Sequence, residues 1–291
     1  MDEFMKKVLI LGSKGMLGQE LVRVFSEAGH DVTGWDFGDI DVTYAVASRE
    51  KIVALAPDII MNAVAYNAVD ACETDEEEFA KAWRINAEVP GELAAVAKEL
   101  GAVFVHYSTD YVFDGEQTGS GYAENAEPNP VSKYGESKLG GERAVAAIGG
   151  TYYVVRLSKL FGKPATSVGG KQSFFAKMEN IAREKGVVSV VDDENGCFTY
   201  APDLADATLS LVLDSAPPGV YHLVNEGPTT WYGALTEYFR VAGVDAEVKP
   251  VSGDIFSRPA KRPKDSTLLD TRRPPLRNLL DALREFARRE R

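Results

Sequence analysis

The segment KKVLILGSKGMLGQEL constrains this chain more than any other. A short apolar run, Val8 to Leu11, passes straight into Gly12, Gly15 and Gly18, spaced G-x-x-G-x-x-G. A helical pattern follows, with apolar residues at Leu17, Leu21, Val24 and Phe25. Strand, glycine loop and helix in that order form the phosphate-binding turn of a dinucleotide-binding fold. Gly12 permits the tight turn, Gly15 lets backbone approach a pyrophosphate, and Gly18 allows close helix–strand contact. The helix N-terminus adds free N–H groups and a partial positive charge.

The first half of the chain keeps alternating. HDVTGWD, DIIMNAV, AVFVHYSTD and TYYVVRLS read as strands, and SREKIVALAP and SKYGESKLGGERAVAAIG as helices. EFAKAWRINAEVPGELAAVAKELG reads as two helical stretches broken near Pro90. Several strands are apolar on both faces, which implies a parallel sheet covered on both sides. The expected fold class is α/β, a Rossmann-type doubly wound parallel sheet with a smaller C-terminal α+β substrate-binding domain. Beyond about residue 160 the elements shorten, and Gly and Pro become frequent. The dinucleotide-binding core is therefore placed at 1–160, with 201–225 returning to it, and the substrate-binding region at 161–200 and 226–291.

Composition narrows the function classes. A net charge of −12 over 291 residues argues against nucleic acid and anionic membrane as partners. No apolar run approaches the length of a bilayer span. VLIL is too short for the core of a signal peptide, so a cytoplasmic location is expected. Two distant cysteines, Cys72 and Cys197, and three scattered histidines offer neither a disulfide framework nor a metal site.

The candidate site residues follow from this frame. HDVTGWD ends in Asp36, where a carboxylate accepts hydrogen bonds from an adenine-ribose diol and repels a 2′-phosphate. The cofactor is thus NAD(H) or NADP(H), with Asp36 favouring NAD and Lys14 softening that exclusion. Asp41 and Val42 follow in a turn that could read the adenine edge. Tyr134 and Lys138 lie one helical turn apart in YGESK. A cation beside the phenol lowers its pKa from about 10 and suits it to give or take a proton. Lys138 can also hold a nicotinamide ribose. Ser108 and Thr109 end a strand at the edge where doubly wound sheets bind ligands, and Thr109 is the favoured partner of Tyr134.

Taken together, these residues resemble the extended short-chain dehydrogenases/reductases. Longer strings are narrower: NAVAYNAVDACE, HYSTDYVFDG, EPNPVSKYGESKLGGE, YAPDLADA, GVYHLVNEG and RPKDSTL resemble the dTDP-4-dehydrorhamnose reductase family, in order along nearly the whole chain. The resemblance implies hydride transfer from NAD(P)H to C4 of a dTDP-4-keto-6-deoxy sugar, with Tyr134 donating the proton. It implies that Lys138 tunes Tyr134 and holds cofactor, and that Thr109 positions the carbonyl. It implies cofactor contacts at Gly15, Met16, Leu17, Asp36, Asp41, Val42, Ala63, Val64 and Ala65, with Tyr107 at a strand end facing the cofactor. Asp110 and Tyr111 match substrate contacts, and Asn86 flanks the site with a structural role equally open. Two other readings stay open: an epimerase or ketoreductase of another nucleotide sugar, and a non-catalytic regulatory subunit similar to the methionine adenosyltransferase beta subunit. Intact Thr109, Tyr134 and Lys138 argue against the second. A homodimer is left open.

The match fails in two places. The family's R-T-S-W-V-Y-G is here Arg156-Leu157-Ser158-Lys159-Leu160-Phe161-Gly162, so Lys159 replaces a tryptophan that contacts the nucleotide sugar. The later G-x-P-T is Gly196-Cys197-Phe198-Thr199, so the proline is gone. A lysine cannot stack as a flat plate but can pair with phosphate. The basic tract Arg258, Lys261, Arg262 and Lys264 suggests pyrophosphate capture, with Arg262 the leading contact and a solvated basic face the alternative.

Overall fold

The alternation in the sequence becomes β1 (Lys7–Leu11), α1 (Met16–Glu27), β2 (Asp31–Trp35), α2 (Ala45–Leu55), β3 (Ile59–Asn62), α3 (Val69–Thr74), α4 (Glu76–Trp83), α5 (Val89–Leu100), β4 (Val103–Thr109), α6 (Lys133–Ile148) and β5 (Tyr152–Leu157). The second half adds β6 (Leu160–Phe161), α7 (Phe174–Lys185), β7 (Val187–Val191), β8 (Asn195–Tyr200), α8 (Ala201–Leu213), β9 (Gly219–His222), β10 (Asn225–Thr230), α9 (Trp231–Ala242), β11 (Glu247–Val251), β12 (Leu276–Asn278) and α10 (Leu279–Arg289). These come from a computed structural model that describes residues 5–289 apart from 118, 120, 168, 169 and 171. The start of the N-terminal segment weighed as a signal peptide, residues 1–4, lies outside the described residues.

Six strands form one parallel sheet in the order β2-β1-β3-β4-β5-β9. Alternate residues of one strand serve opposite faces, as a period of two requires. Val8 and Ile10 pack with Leu21, Val24 and Phe25 of α1 and Leu204 and Leu211 of α8. Leu9 and Leu11 pack with Ile52 of α2, Leu93 and Val96 of α5 and Val145 of α6. Covering both faces explains why these strands are apolar without alternation. The chain runs outward from β1 to β2, then returns past β1 to β3. The carboxyl ends of β1 and β3 therefore flank the switch point where a ligand crevice opens.

The helical run around Pro90 is not broken there. A π-helical turn, Arg84–Glu88, joins α4 to α5, and the Val89 N–H bonds back to the Arg84 carbonyl. Pro90 sits at the start of α5, where its missing N–H costs least.

After β5 the chain leaves this sheet. A second sheet has the order β12-β10-β8-β6, and β7 pairs with β11. Their core is aromatic: Phe161, Phe175, Phe198, Tyr200, Tyr238, Phe239 and Phe286. In α10 the buried residues Leu279, Ala282, Leu283, Phe286 and Ala287 follow helical spacing and close this core. Between these parts α8 packs on α1, and β9 pairs with β5 at the edge of the main sheet. No helix among the described residues is long and apolar enough to cross a membrane.

Candidate functional site

The glycine loop is shaped for close approach. Gly12 has φ +77°, the left-handed region, and a Cβ there would press on the Ala63 carbonyl group at 3.1 Å. A Cβ on Gly18 would collide with the Gly12 carbonyl, so α1 can begin this close to the loop only with glycine. Gly15 is the N-cap of α1 and supplies no side-chain cap, leaving the first-turn N–H groups for another acceptor. Above this loop lies a cavity of about 920 Å³. Gly12, Gly15, Met16, Leu17 and Gly18 line it, together with Asp36, Asp41, Val42, Ala63, Val64, Ala65, Thr109, Tyr134, Lys138 and Lys159. A phosphate-bearing dinucleotide fits such a cradle.

The carboxylates around the cavity are already ordered. Asp36 accepts from the Lys14 N–H at 3.1 Å and the Phe37 N–H at 2.9 Å, which ties β2 to the glycine loop. Asp41 accepts from the backbone N–H and the hydroxyl of Thr43 and so sets its own turn.

Tyr134 and Lys138 project from the first turns of α6, whose N-cap Ser132 accepts from the Gly135 N–H. A Cβ on Gly135 would collide with the Tyr111 carbonyl, so this glycine lets α6 dock on the end of β4. The Tyr111 and Tyr134 rings meet edge to face at 5.8 Å. Lys138 is buried and donates to the Tyr107 carbonyl at 2.6 Å. Burial pulls its pKa down to about 8.

The phenol differs from the sequence expectation. Burial, then the charge of Asp110, push the Tyr134 pKa above its ordinary value, while Thr109 draws it the other way. Lys138 is not among the groups that lower it; its ammonium donates to the Tyr107 carbonyl. The phenol is thus held firmly protonated.

Several other residues stand differently from their expected places. Tyr107 lines the larger cavity as expected, but its hydroxyl is buried and donates to Thr208 at 3.1 Å, while its carbonyl accepts from Lys138. Asp110 is also buried and lines neither of the two cavities described here. Its carboxylate accepts from the Thr109, Ser158 and Ser266 hydroxyls. Ser108 and Thr109 both line the larger cavity, but the Ser108 hydroxyl is engaged with Glu142, which also pairs with Arg156. Asn86 is fully buried and bonds both backbone groups of Tyr66 and the Ser137 hydroxyl, a structural role.

A second cavity of about 580 Å³ is lined by Tyr111, Phe174, Met178, Glu194, Trp231, Phe256, Arg258 and Arg262, among others. The edge-to-face pair Tyr111–Tyr134 spans the two cavities, since Tyr134 lines the first. The basic tract is divided: Lys261 and Lys264 are exposed, while Arg258 and Arg262 are half-buried. Arg262 forks onto Asp70 at 2.5 and 2.7 Å, Arg258 pairs with Glu194, and Lys264 pairs with Asp193 at 3.0 Å. Phe174, Met178 and Glu194 carry no local motif and are not legible as site residues in the sequence. Trp231 both packs on the aromatic cluster and lines this cavity.

A doubly wound sheet with a glycine-loop cradle at its switch point, and Thr, Tyr and Lys gathered at its carboxyl edge, defines a protein of the extended short-chain dehydrogenase/reductase class. Residues 5–281 match the model of the family described as RmlD substrate binding domain, and the chain belongs to that family. It is 38% identical over 288 residues to a dTDP-4-dehydrorhamnose reductase of Streptomyces griseus, covering 95% of this chain and 91% of that protein. A crystal structure of a dTDP-4-dehydrorhamnose reductase from Clostridium acetobutylicum superposes with TM-score 0.91 at 35% identity, covering 98% of this chain and 99% of that one. A dTDP-4-dehydrorhamnose reductase of Bacillus anthracis in complex with NADP gives TM-score 0.90 at 30% identity, covering 97% and 99%.

Proposed function

We propose that this protein reduces the C4 carbonyl of a dTDP-4-keto-6-deoxyhexose, as in the step from dTDP-4-dehydrorhamnose to dTDP-L-rhamnose. The observation that carries the reading is the meeting of Thr109, Tyr134 and Lys138 in the one cavity that the glycine loop also lines. A bound nicotinamide dinucleotide supplies the hydride. Gly12, Gly15, Met16, Leu17 and Gly18 would hold its pyrophosphate, Asp36 its adenine ribose, and Asp41, Val42, Ala63, Val64 and Ala65 its adenine half and linking groups. The Tyr107 carbonyl keeps Lys138 in place beside the nicotinamide ribose.

The raised pKa of Tyr134 suits a reductase. The proton donor must hold its proton at neutral pH and release it only as negative charge develops on the C4 oxygen. Thr109 holds that oxygen by turning its hydroxyl proton from Asp110 to it, and Lys138 would hold the nicotinamide ribose. Tyr111, Lys159 and Arg262 contact the substrate, Arg262 at its pyrophosphate, and Asp110 fixes Thr109 and Ser158 from behind. Asp36 favours NAD(H), with its carboxylate aimed at the glycine loop where a 2′-phosphate would crowd it. The relative from Bacillus anthracis bound to NADP keeps NADP(H) in the test. Purified protein should consume NADH or NADPH, read by nicotinamide absorbance, when given a dTDP-4-keto-6-deoxyhexose. Absence of turnover with both cofactors refutes the proposal.

A further inference from the structure

The two positions at which this chain departs from its family's pattern touch each other. The Lys159 ammonium lies 5.4 Å from the centroid of the Phe198 ring and 5.6 Å from that of Trp231. Those two rings meet edge to face at 5.2 Å, and Phe198 is wholly buried. A Cβ at Gly196 would collide with the Lys159 ammonium, so glycine there clears its path. The residue that replaces the tryptophan at position 159 thus rests its cation on the ring that replaces the proline at position 198.

That cation is short of partners. An ammonium has three donors and no acceptor. Lys159 Nζ makes no hydrogen bond or ion pair among the described residues, although the residue is half-buried. The aromatic faces offset part of its charge but accept none of its N–H groups in line. Its backbone has φ +41°, a left-handed conformation that β-carbon sterics disfavour and that collects at functional positions. Burial lowers its pKa, while Asp110, Glu194 and Asp265 pull it back toward the charged form.

Position decides what such a cation meets. Lys159 lines the same cavity as Thr109 and Tyr134, the reacting end of the site. Arg258 and Arg262 line the other cavity, so cations for a pyrophosphate are already present there. We propose that Lys159, seated on Phe198 and Trp231, is a specificity-determining residue that donates hydrogen bonds to a hydroxyl oxygen of the hexose, not to the nucleotide. The inference rests on the nucleotide-sugar reading above and deepens it by assigning the sugar half of the substrate to this residue.

The test compares dTDP with dTDP-glucose, a stable hexose-bearing probe, by calorimetry on the wild type and on Lys159→Met, an unbranched side chain one atom shorter that carries no donor. Loss of a charge-assisted hydrogen bond weakens dTDP-glucose by about ten- to a hundredfold, with dTDP unchanged. Lys159→Gln, a neutral donor, recovers part of the loss, and it gives the same reading if Lys159→Met does not fold. Equal weakening of both ligands overturns the inference, because the cation then reads the nucleotide. So does unchanged binding of dTDP-glucose. Failure of the wild type to bind either ligand overturns the nucleotide-sugar reading itself and the inference with it.

Discussion

The two sides of this molecule, the larger cavity proposed for the cofactor and the smaller one proposed for the substrate, are built by different means. Around the larger cavity, the residues stand at or just beyond strand ends: Gly12 after β1, Asp36 after β2, Ala63 after β3 and Thr109 at the end of β4. The register of one parallel sheet places them, and in β1, β3 and β4 a buried apolar run leads to the residue. The smaller cavity is assembled from α7, β7, Trp231 and the tract 256–262. Ion pairs between distant segments, Arg262 with Asp70 and Arg258 with Glu194, hold that tract in place. A site made at sheet ends is a local property of the chain. A site made by straps and packed aromatics is not.

If the two sides are separable, their variants should fail differently. The largest effect is expected from Tyr134→Phe, which removes the proton donor. It should lower kcat by about 10²–10⁴-fold and leave the affinities for dinucleotide and for dTDP-hexose unchanged. A parallel loss of either affinity breaks the comparison. Arg262→Ala comes next. Deleting a charge-assisted contact should raise the KM for the nucleotide sugar by about tenfold or more, with the dinucleotide Kd unchanged. A fall in kcat instead would mean that Arg262 acts by setting Tyr111 through α3, not by holding substrate.

The smallest effect concerns Asp270, in the segment that leads from the tract to β12. Burial pushes its carboxyl up to about 7, and its Oδ2 is buried without a partner among the described residues. The unfolded chain loses this proton near pH 4. Between about pH 4 and 7 the folded state therefore holds a proton that the unfolded state has released, and stability falls as pH rises through that window. Asp270→Asn should gain about 1 kcal/mol at pH 8 and much less at pH 4.5, measured by urea denaturation. An equal gain at both values would assign the effect to packing.

Much of the cofactor side was legible in the residues themselves. A glycine with φ above zero, a strand-end hydroxyl, and a tyrosine and lysine one turn apart are short-range patterns, and their geometry follows from the backbone they sit on. Asp110 and Tyr107 were legible as strand-end residues but not in their direction. Asp110 turns inward because Ser158 and Ser266, brought from other segments, supply its donors. The Tyr107 hydroxyl turns into the core because α8, nearly a hundred positions later, offers Thr208.

By itself the sequence determined the parallel sheet, its glycine cradle and the pairing of Tyr134 with Lys138 on one helix, because each is written within a few residues. Only the tertiary structure decided the state of that tyrosine. Packing buries the Tyr134 phenol near Asp110, so the phenol keeps its proton, and Lys138 donates to a carbonyl. Only the tertiary structure, too, joined positions 159 and 198. A desolvated charge and a ring face act on each other through space, and the separation of residues along the chain does not enter that energy.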